Sequence, residues 1–226
     1  YYAPDPSSQI ACSIGGNVAE NSGGVHCLKY GLTVHNVLGA RVVMSDGQVL
    51  EIGGPWYDAP GLDLLAALCG SEGMLGIVTE ITVALLPRPE TVAVMLAAFR
   101  SLNDAADAVA AVIGAGIIPA GMEMMDQLAV QAAEQFAHAG YPEDAEAILL
   151  IELDGTDSEV VTMVVQVERL MLAQHAYHID VATDPDNQMR LWKGRKSAFP
   201  AVGRLSPDYY CMDGTIPRRE LARVLG

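Results

Sequence analysis

Positive charge is scarce in this sequence, which holds 13 lysine and arginine residues against 28 aspartate and glutamate residues, a formal net charge of −15. Nucleic-acid binding depends on lysine and arginine side chains that neutralise phosphates, so the charge balance argues against a nucleic-acid partner. The same balance argues against binding to an anionic membrane surface. No apolar run reaches the roughly 18–20 residues that a membrane-spanning helix needs, so we expect no transmembrane segment.

Cysteine is also sparse, and its spacing excludes the common zinc sites. The four cysteines are Cys12, Cys27, Cys69 and Cys211, and no two of them form a Cys-x-x-Cys pair. A chain of 226 residues buries enough apolar surface to fold without disulfides. We therefore interpret the cysteines as reduced thiols and expect a cytoplasmic protein. The Rossmann pattern Gly-x-Gly-x-x-Gly is absent as well.

The first part of the sequence, residues 1–88, is rich in glycine and reads as a small mixed domain. A hairpin is predicted over 34–52, because two apolar runs flank the turn sequence Ser45-Asp46-Gly47. A short helix is predicted over 62–69, and a long strand over 76–86 that Pro87 stops. The sequence Pro-Arg-Pro-Glu that begins at residue 87 is typical of a domain linker.

Strands and helices alternate in the second part, residues 89–226. Strands are predicted over 92–99, 119–125, 147–153 and 177–182, and helices over 103–113, 127–138 and 158–175. This βαβ-(α)-βαβ order is typical of a ferredoxin-like sandwich. A polar helix is predicted over 184–199, a strand and turn over 211–215, and a helix that begins near 216. The predicted fold class is therefore α+β.

Two Gly-Gly steps near the start carry the strongest chemical signal. Gly15-Gly16 and Gly23-Gly24 lie eight residues apart, around a short helical segment in which Asn17 and Asn21 are spaced at i and i+4. Glycine permits close approach of the backbone, and adjacent N–H groups at the start of a helix attract anions. The two asparagines would add donors and acceptors on one side, which favours a ligand-binding loop. The alternative is a turn that needs glycine for its geometry alone.

Three segments resemble the FAD-linked oxidases of the vanillyl-alcohol-oxidase (PCMH) type. Residues 13–33 (Ser-Ile-Gly-Gly-Asn-Val-Ala-Glu-Asn-Ser-Gly-Gly-Val-His-Cys-Leu-Lys-Tyr-Gly-Leu-Thr) and 70–79 (Gly-Ser-Glu-Gly-Met-Leu-Gly-Ile-Val-Thr) are similar to the family's FAD segments. Residues 192–218 most resemble the flavin subunits of glycolate oxidases or dehydrogenases and the D-lactate dehydrogenases. The resemblance implies that 1–88 is the second part of a PCMH-type FAD-binding domain. Residues 89–226 would then be the N-terminal part of the FAD-linked oxidase C-terminal domain, a cap over the substrate.

The resemblance implies FAD as the cofactor and a set of residues that bind it. These are Pro4, Asp5, Ser13, Ile14, Gly15, Gly16, Asn17, Asn21, Ser22, Gly23, Gly24, Glu72, Gly73, Gly76, Ile77 and Val78. Arg195 stands where the family places an arginine that binds the substrate carboxylate, a group that a guanidinium holds through two parallel hydrogen bonds. The alternative for Arg195 is a surface arginine of a helix. No metal site is expected in this sequence, and we expect the catalytic base and the family's metal ligands outside it, in a longer protein.

The implied function is FAD-dependent oxidation of a 2-hydroxy acid to a 2-oxo acid by hydride transfer to the flavin. Glycolate, D-lactate and longer 2-hydroxy acids remain alternative substrates. Electrons are expected to leave through an iron–sulfur partner subunit, which would bring the protein to the inner membrane, and the oligomeric state stays open. Two other readings are a folded but inactive piece with an incomplete FAD site, and an FAD-fold oxidase for a different substrate.

Overall fold

A computed structural model describes residues 1–9, 11–55, 61–206 and 208–225, with the side chains of Arg219 and Ala222 excepted. The chain divides into two compact units, Tyr1–Arg88 and Pro89–Gly226, called unit 1 and unit 2 below. Helices and sheets occur in both units, which confirms the predicted α+β class. No helix in the described ranges has both the length and the apolar character needed to cross a membrane.

Unit 1 is built on one three-stranded antiparallel sheet in the order β2-β1-β3. Its elements are α1 Ile14–Glu20, α2 Cys27–Tyr30, α3 Thr33–Asn36, β1 Val37–Val43, β2 Val49–Gly53, α4 Leu64–Leu68 and β3 Ile77–Val83. The predicted hairpin is confirmed from residue 37 onward, whereas its first three residues, 34–36, lie in α3. At its turn the Gly47 N–H donates to the Met44 carbonyl at 2.9 Å, and Gly47 has a φ of +82°.

Strand β3 ends at Val83, so the strand predicted over 76–86 is wrong in its last three residues. The backbone N–H of Ala84 donates to the Asn36 carbonyl, and that of Leu86 donates to the Tyr1 carbonyl at 2.8 Å. Ala84 and Leu86 therefore bond to the end of α3 and to the first residue of the chain, and they do not pair with β1.

Unit 2 is built on a four-stranded antiparallel sheet in the order β5-β6-β4-β7. Its elements are β4 Thr91–Phe99, α5 Leu102–Gly114, β5 Gly121–Asp126, α6 Gln127–Ala137, β6 Ala147–Gly155, α7 Asp157–Ala173 and β7 His178–Ala182. The first strand of the unit lies between the third and the fourth, which is the order of a ferredoxin-like sandwich. The predicted βαβ-(α)-βαβ arrangement is confirmed, with α6 as the additional helix.

Both faces of this sheet are buried. Met95, Phe99 and Leu149 belong to the core on the face that contacts α5 and α7. Leu96 and Leu150, which alternate with them, are also withdrawn from solvent, at 1% and 0% exposure. A sheet covered on both faces has apolar strands without polar alternation, as the sequence of β4 and β6 shows.

Two further helices follow the sheet, α8 Pro185–Lys196 and α9 Ala198–Leu205, so the single helix predicted over 184–199 is interrupted at Ser197. Helix α8 begins as its sequence suggests, with Asp184 as N-cap and a proline in the first turn. The strand predicted over 211–215 is wrong, because this exposed segment forms no helix or strand and does not join a sheet edge. A short 3₁₀ helix, Arg218–Glu220, and helix α10, Leu221–Leu225, follow it.

Candidate functional site

A cavity of about 310 Å³ lies in unit 1, between α1 and the segment that joins α4 to β3. It is lined by Ser13, Gly15, Gly16, Ala19, Leu68, Ser71, Gly73, Gly76, Ile77 and Val78. Two stretches that are some fifty residues apart in the sequence, around α1 and before β3, therefore face one space. Seven of the predicted cofactor-binding residues meet in this cavity, namely Ser13, Gly15, Gly16, Gly73, Gly76, Ile77 and Val78.

Glycine is required for different structural reasons at three positions in the cavity lining. A Cβ atom on Gly15 or Gly73 would meet no heavy atom within 4 Å, so both residues border open space. A Cβ atom on Gly76 would lie 2.6 Å from Cγ1 of Val42 and 2.9 Å from the carbonyl oxygen of Val43. Gly76 is therefore needed for the close approach of β3 to β1, whereas Gly15 and Gly73 keep the wall of the cavity bare.

The two walls are joined by backbone hydrogen bonds. The N–H of Gly70 donates to the Val18 carbonyl and the N–H of Glu72 donates to the Ala19 carbonyl, each at 2.9 Å. The turn that makes these bonds uses left-handed backbone, with φ of +86° at Gly70, +54° at Glu72 and +76° at Gly73. Only glycine adopts this conformation without strain, which explains two of the three residues.

Several predicted cofactor residues lie outside the cavity lining and stabilise the loop that follows α1. Asn21 ends α1 with a φ of +48°, and its Oδ1 accepts a hydrogen bond from the Val34 N–H at 3.0 Å. The Ser22 carbonyl accepts from the Thr33 hydroxyl at 2.8 Å. Gly24 lies against the backbone of Asp5, where a Cβ atom would come within 1.9 Å of the carbonyl oxygen. The remaining members of the predicted set that do not line the cavity are Pro4, Ile14, Asn17, Gly23 and Glu72.

A second cavity, of about 530 Å³, lies in unit 2. Its lining is largely apolar and comes from β5, α9 and the segment before α10, with Leu102, Met124, Met125, Ala129, Ala198, Phe199, Val202, Tyr209, Tyr210, Cys211, Met212 and Leu225. Two charged residues complete the lining, Arg195 near the end of α8 and Asp126 at the start of α6. The segment around 209–212, predicted as a strand in part, is thus a wall of this cavity.

Arg195 faces the cavity and is also paired with a carboxylate. Its Nε lies 2.9 Å and its Nη2 2.7 Å from Oε2 of Glu123, which is on β5. The Arg195 side chain is 31% exposed and the Glu123 side chain 23% exposed. The sequence predicted a strand over 119–125 and indicated no role for Glu123, because no local pattern reports a contact across 72 residues.

Tyr141 fixes the backbone behind Arg195. Its hydroxyl donates to the Leu191 carbonyl, and its ring packs so closely on Gly194 that a Cβ atom there would lie 2.5 Å from the ring. Burial raises the pKa of Tyr141, so the phenol keeps the proton that it donates. Helix α8 is therefore held at the turn that precedes Arg195. Sequence reasoning missed this residue too.

Among the described residues, no group of three or more histidine, cysteine, aspartate or glutamate side chains is placed to hold a metal ion. The four cysteines are thiols without a disulfide. Burial raises the pKa of Cys27 and of Cys69, which keeps both thiols protonated.

Two protein families match separate parts of the chain. The family described as FAD linked oxidases, C-terminal domain, matches residues 88–226, and the FAD binding domain family matches residues 1–53. Solved structures of the same fold include an alkyldihydroxyacetonephosphate synthase, with a TM-score of 0.73 and 20% identity over 91% of this chain and 40% of that chain. A p-cresol methylhydroxylase has a TM-score of 0.66 and 16% identity, over 88% of this chain and 45% of that chain.

Curated relatives are similar over the whole chain. The glycolate oxidase subunit GlcD of Escherichia coli (strain K12) is 61% identical over 225 residues, which cover 100% of this chain and 45% of the relative. The subunit of the same name from Bacillus subtilis (strain 168) is 40% identical, over 100% of this chain and 48% of the relative. A D-lactate dehydrogenase of Archaeoglobus fulgidus is 32% identical, over 98% and 48%. The chain thus spans about half the length of the curated relatives it matches.

Proposed function

The chain belongs to the FAD-linked oxidase family, and from that premise we propose that unit 1 is part of an FAD-binding domain and unit 2 part of a substrate-binding cap domain. The proposed activity is oxidation of a 2-hydroxy acid, glycolate or D-lactate, to the 2-oxo acid. The similarity to GlcD subunits and to D-lactate dehydrogenases along the whole chain supports this substrate class.

The cavity of unit 1 suits the cofactor that the family implies. A flavin nucleotide needs surfaces that approach closely without side chains in the way, and Gly15 and Gly73 border open space in that cavity. Ile77 and Val78 add apolar surface beside them. We assign the predicted cofactor-binding residues of this cavity to FAD, which would supply the acceptor for hydride.

Unit 2 would bind the substrate through Arg195. A guanidinium holds a carboxylate by two parallel hydrogen bonds, which fixes the orientation of the acid as well as its position. Phe199, Met124 and the other apolar side chains of the cavity would exclude water around the rest of the molecule. The base that removes the hydroxyl proton is assigned to none of the residues of this chain.

A partner subunit is part of the proposal. The relatives that are 61% and 40% identical are named as subunits of a glycolate oxidase, which indicates that they work in an assembly. We propose that this protein likewise passes its electrons to an iron–sulfur subunit, in the cytoplasm and at the inner face of a membrane where that partner resides.

The observation that carries the proposal is the bare wall of the unit 1 cavity, and Gly15→Ala tests it. Alanine in a helix is more stable than glycine by roughly 0.5–1 kcal/mol, and nothing within 4 Å of Gly15 opposes a Cβ atom. We expect the variant to fold as well as the wild type and to bind FAD at least about ten times more weakly, a change of about 1.4 kcal/mol. FAD binding is measured by titration of the visible flavin absorbance in the complete gene product.

Gly114→Ala is the matched control, because Gly114 is also helical but lies in α5 of unit 2. As at Gly15, a Cβ atom at Gly114 would meet no heavy atom within 4 Å. This variant should keep the wild-type affinity for FAD. A wild-type protein that takes up no FAD, or whose flavin is not reduced by glycolate or D-lactate, would contradict the proposed function.

A further inference from the structure

A carboxylate stands beside the arginine that the proposed function assigns to the substrate. Glu123 contacts the Nε and Nη2 edge of Arg195 with a single oxygen, at 2.9 and 2.7 Å. Both side chains are less than one-third exposed, so solvent screens the pair less than it screens an ion pair on the surface. The contact joins the edge strand β5 to helix α8, and it fixes the direction in which the guanidinium points.

The charges around the cavity do not balance. Arg195 is the single cation among the described residues that line it, and Asp126 is a carboxylate in the same lining. Asp126 is already engaged, because its Oδ1 accepts a hydrogen bond from the Ala129 N–H at 2.8 Å and caps α6. With Glu123 on Arg195, two negative charges stand against one positive charge.

Other cations of unit 2 are engaged elsewhere. Arg190 lies 3.0 Å from Asp180, Arg100 lies 2.8 Å from Asp144, and the guanidinium of Arg204 stacks on the Phe136 ring at 4.4 Å. None of the three is among the residues that line the cavity. Among the described residues that line the cavity, Arg195 is the one guanidinium available to an acidic ligand.

We propose that Glu123 is a positioning and specificity-determining residue, which orients Arg195 and restricts the cavity to 2-hydroxy acids that have one carboxylate and an uncharged body. This inference rests on the proposed function, which assigns Arg195 to the substrate carboxylate. A guanidinium is a planar fork, and one edge held by Glu123 leaves a second edge with the geometry for one carboxylate.

A second carboxylate on the substrate would meet an unfavourable environment. It would enter a largely apolar cavity that is lined by Asp126 and whose arginine, Arg195, already contacts Glu123, with no second cation in the described lining to compensate for the loss of water. Like charges at short range and at low dielectric repel strongly, and such repulsion is an effective way to reject a competing ligand. A methyl or larger uncharged group would instead contact the apolar lining.

The substitution Glu123→Gln tests this assignment, because glutamine keeps the shape and an acceptor oxygen but removes the charge. D-lactate and D-malate form a matched pair of substrates that differ by one carboxylate. In the complete gene product loaded with FAD, we expect the ratio of kcat/KM for D-malate over D-lactate to rise at least about tenfold. Any decrease in kcat/KM for D-lactate should come from a higher KM and not from a lower kcat, because Arg195 binds the carboxylate in the ground state as well as in the transition state.

Glu152→Gln is the control, because it removes the same charge from the neighbouring strand β6. Neither Glu123 nor Glu152 is part of the cavity lining, but the Glu152 Oε2 accepts a hydrogen bond from Nε1 of Trp192 at 2.7 Å, whereas Glu123 contacts the lining residue Arg195. This variant should leave the ratio of the two substrates unchanged. Glu123→Asp retains the charge on a shorter side chain, so it should raise KM for D-lactate and still exclude D-malate.

Equilibrium binding of two non-oxidisable acids gives a readout that is independent of turnover. By calorimetry, the wild type should bind propionate in preference to succinate, and Glu123→Gln should reduce that preference about tenfold at an unchanged melting temperature. An unchanged preference in Glu123→Gln, an equal change in Glu152→Gln, or a wild type that oxidises D-malate as well as D-lactate would overturn the inference. If no 2-hydroxy acid reduces the wild-type flavin, the proposed function fails, and the calorimetry alone then decides the role of Glu123.

Discussion

The two units of this protein differ in how completely they bury their apolar side chains. The sheet of unit 2 is covered on both faces, and side chains such as Leu149 and Leu150 have no exposed surface. The buried clusters of unit 1 are small, with Val18, Val37 and Cys69 in one and Ala40, Val42 and Leu68 in the other. Large apolar side chains of unit 1 remain exposed, among them Leu62, Leu64, Met74, Leu75 and Ile77.

The two units therefore differ in the interactions that stabilise them and that form their candidate sites. Unit 2 depends on side-chain packing, and its candidate site is a set of side chains, with Arg195 at its centre. Unit 1 depends on backbone hydrogen bonds between distant segments, such as those of Gly70 and Glu72 to α1, and four of the ten residues that line its candidate site are glycines. A substitution in unit 2 should therefore act mainly on packing, and one in unit 1 mainly on the shape of the cavity.

The largest expected effect comes from removing one leucine side chain in each core. Leu149→Ala should destabilise unit 2 by about 4 kcal/mol, because Leu149 is fully buried in the centre of a covered sheet and its neighbours cannot close the cavity. Leu68→Ala should destabilise unit 1 by only about 2 kcal/mol, since its smaller cluster can relax. Hydrogen exchange measured by mass spectrometry reports the stability of each unit separately. Equal losses of stability in the two variants would contradict the proposed difference between the two cores.

An intermediate effect is expected from Gly194→Ala in unit 2. A methyl group at this position would collide with the Tyr141 ring, and overpacking of this kind costs about 2 kcal/mol. The strain should displace the end of α8 and so weaken carboxylate binding by Arg195 as well. Urea denaturation and calorimetry with propionate measure the two effects. A variant with wild-type stability would show that the contact between ring and backbone is not tight.

The smallest effect concerns the surface of unit 2, where the Tyr177 hydroxyl donates to Asp144 at 2.8 Å and Arg100 stacks over the ring at 4.2 Å. Burial and the nearby Asp144 raise the pKa of Tyr177 from 10.0 to about 12. Because the folded-state pKa lies above the unfolded one, this contribution to stability is complete below pH 10 and is lost as the pH rises through 12.

Tyrosinate absorbance during an alkaline titration measures this shift, and Asp144→Asn is the matched variant. Without the carboxylate, the Tyr177 pKa should move back toward 10, the value of a free tyrosine. A titration that is identical in both proteins would remove Asp144 as a cause.

Local patterns were enough to predict most of the elements. The apolar runs around Ser45-Asp46-Gly47 specified the β1–β2 hairpin, and the alternation after Pro89 specified the strands and helices of unit 2. The prediction for 211–215 failed because local β-propensity does not determine whether a segment pairs with a strand; this segment joins no sheet, and Cys211 and Met212 line the cavity of unit 2. The prediction of one helix over 184–199 failed at Ser197, where the chain turns between α8 and α9.

The candidate sites were predictable only in part. The glycines of the first loop and the glycines near 73 are visible in the sequence, but the Gly70 and Glu72 bonds that bring them to one cavity join residues some fifty positions apart. Glu123 and Tyr141 were missed for the same reason. Each acts on α8 across at least 50 residues of sequence, and neither belongs to a short motif.

The position of β4 in the sheet has a consequence for synthesis of the protein. Strand β4 is the first of unit 2 to leave the ribosome, yet it pairs only with β6 and β7, which end at residues 155 and 182. Until those residues emerge, the nine residues of this largely apolar strand have unpaired backbone edges with which other nascent chains can pair. Chaperone demand during translation should therefore be concentrated in the interval between the emergence of β4 and that of β7.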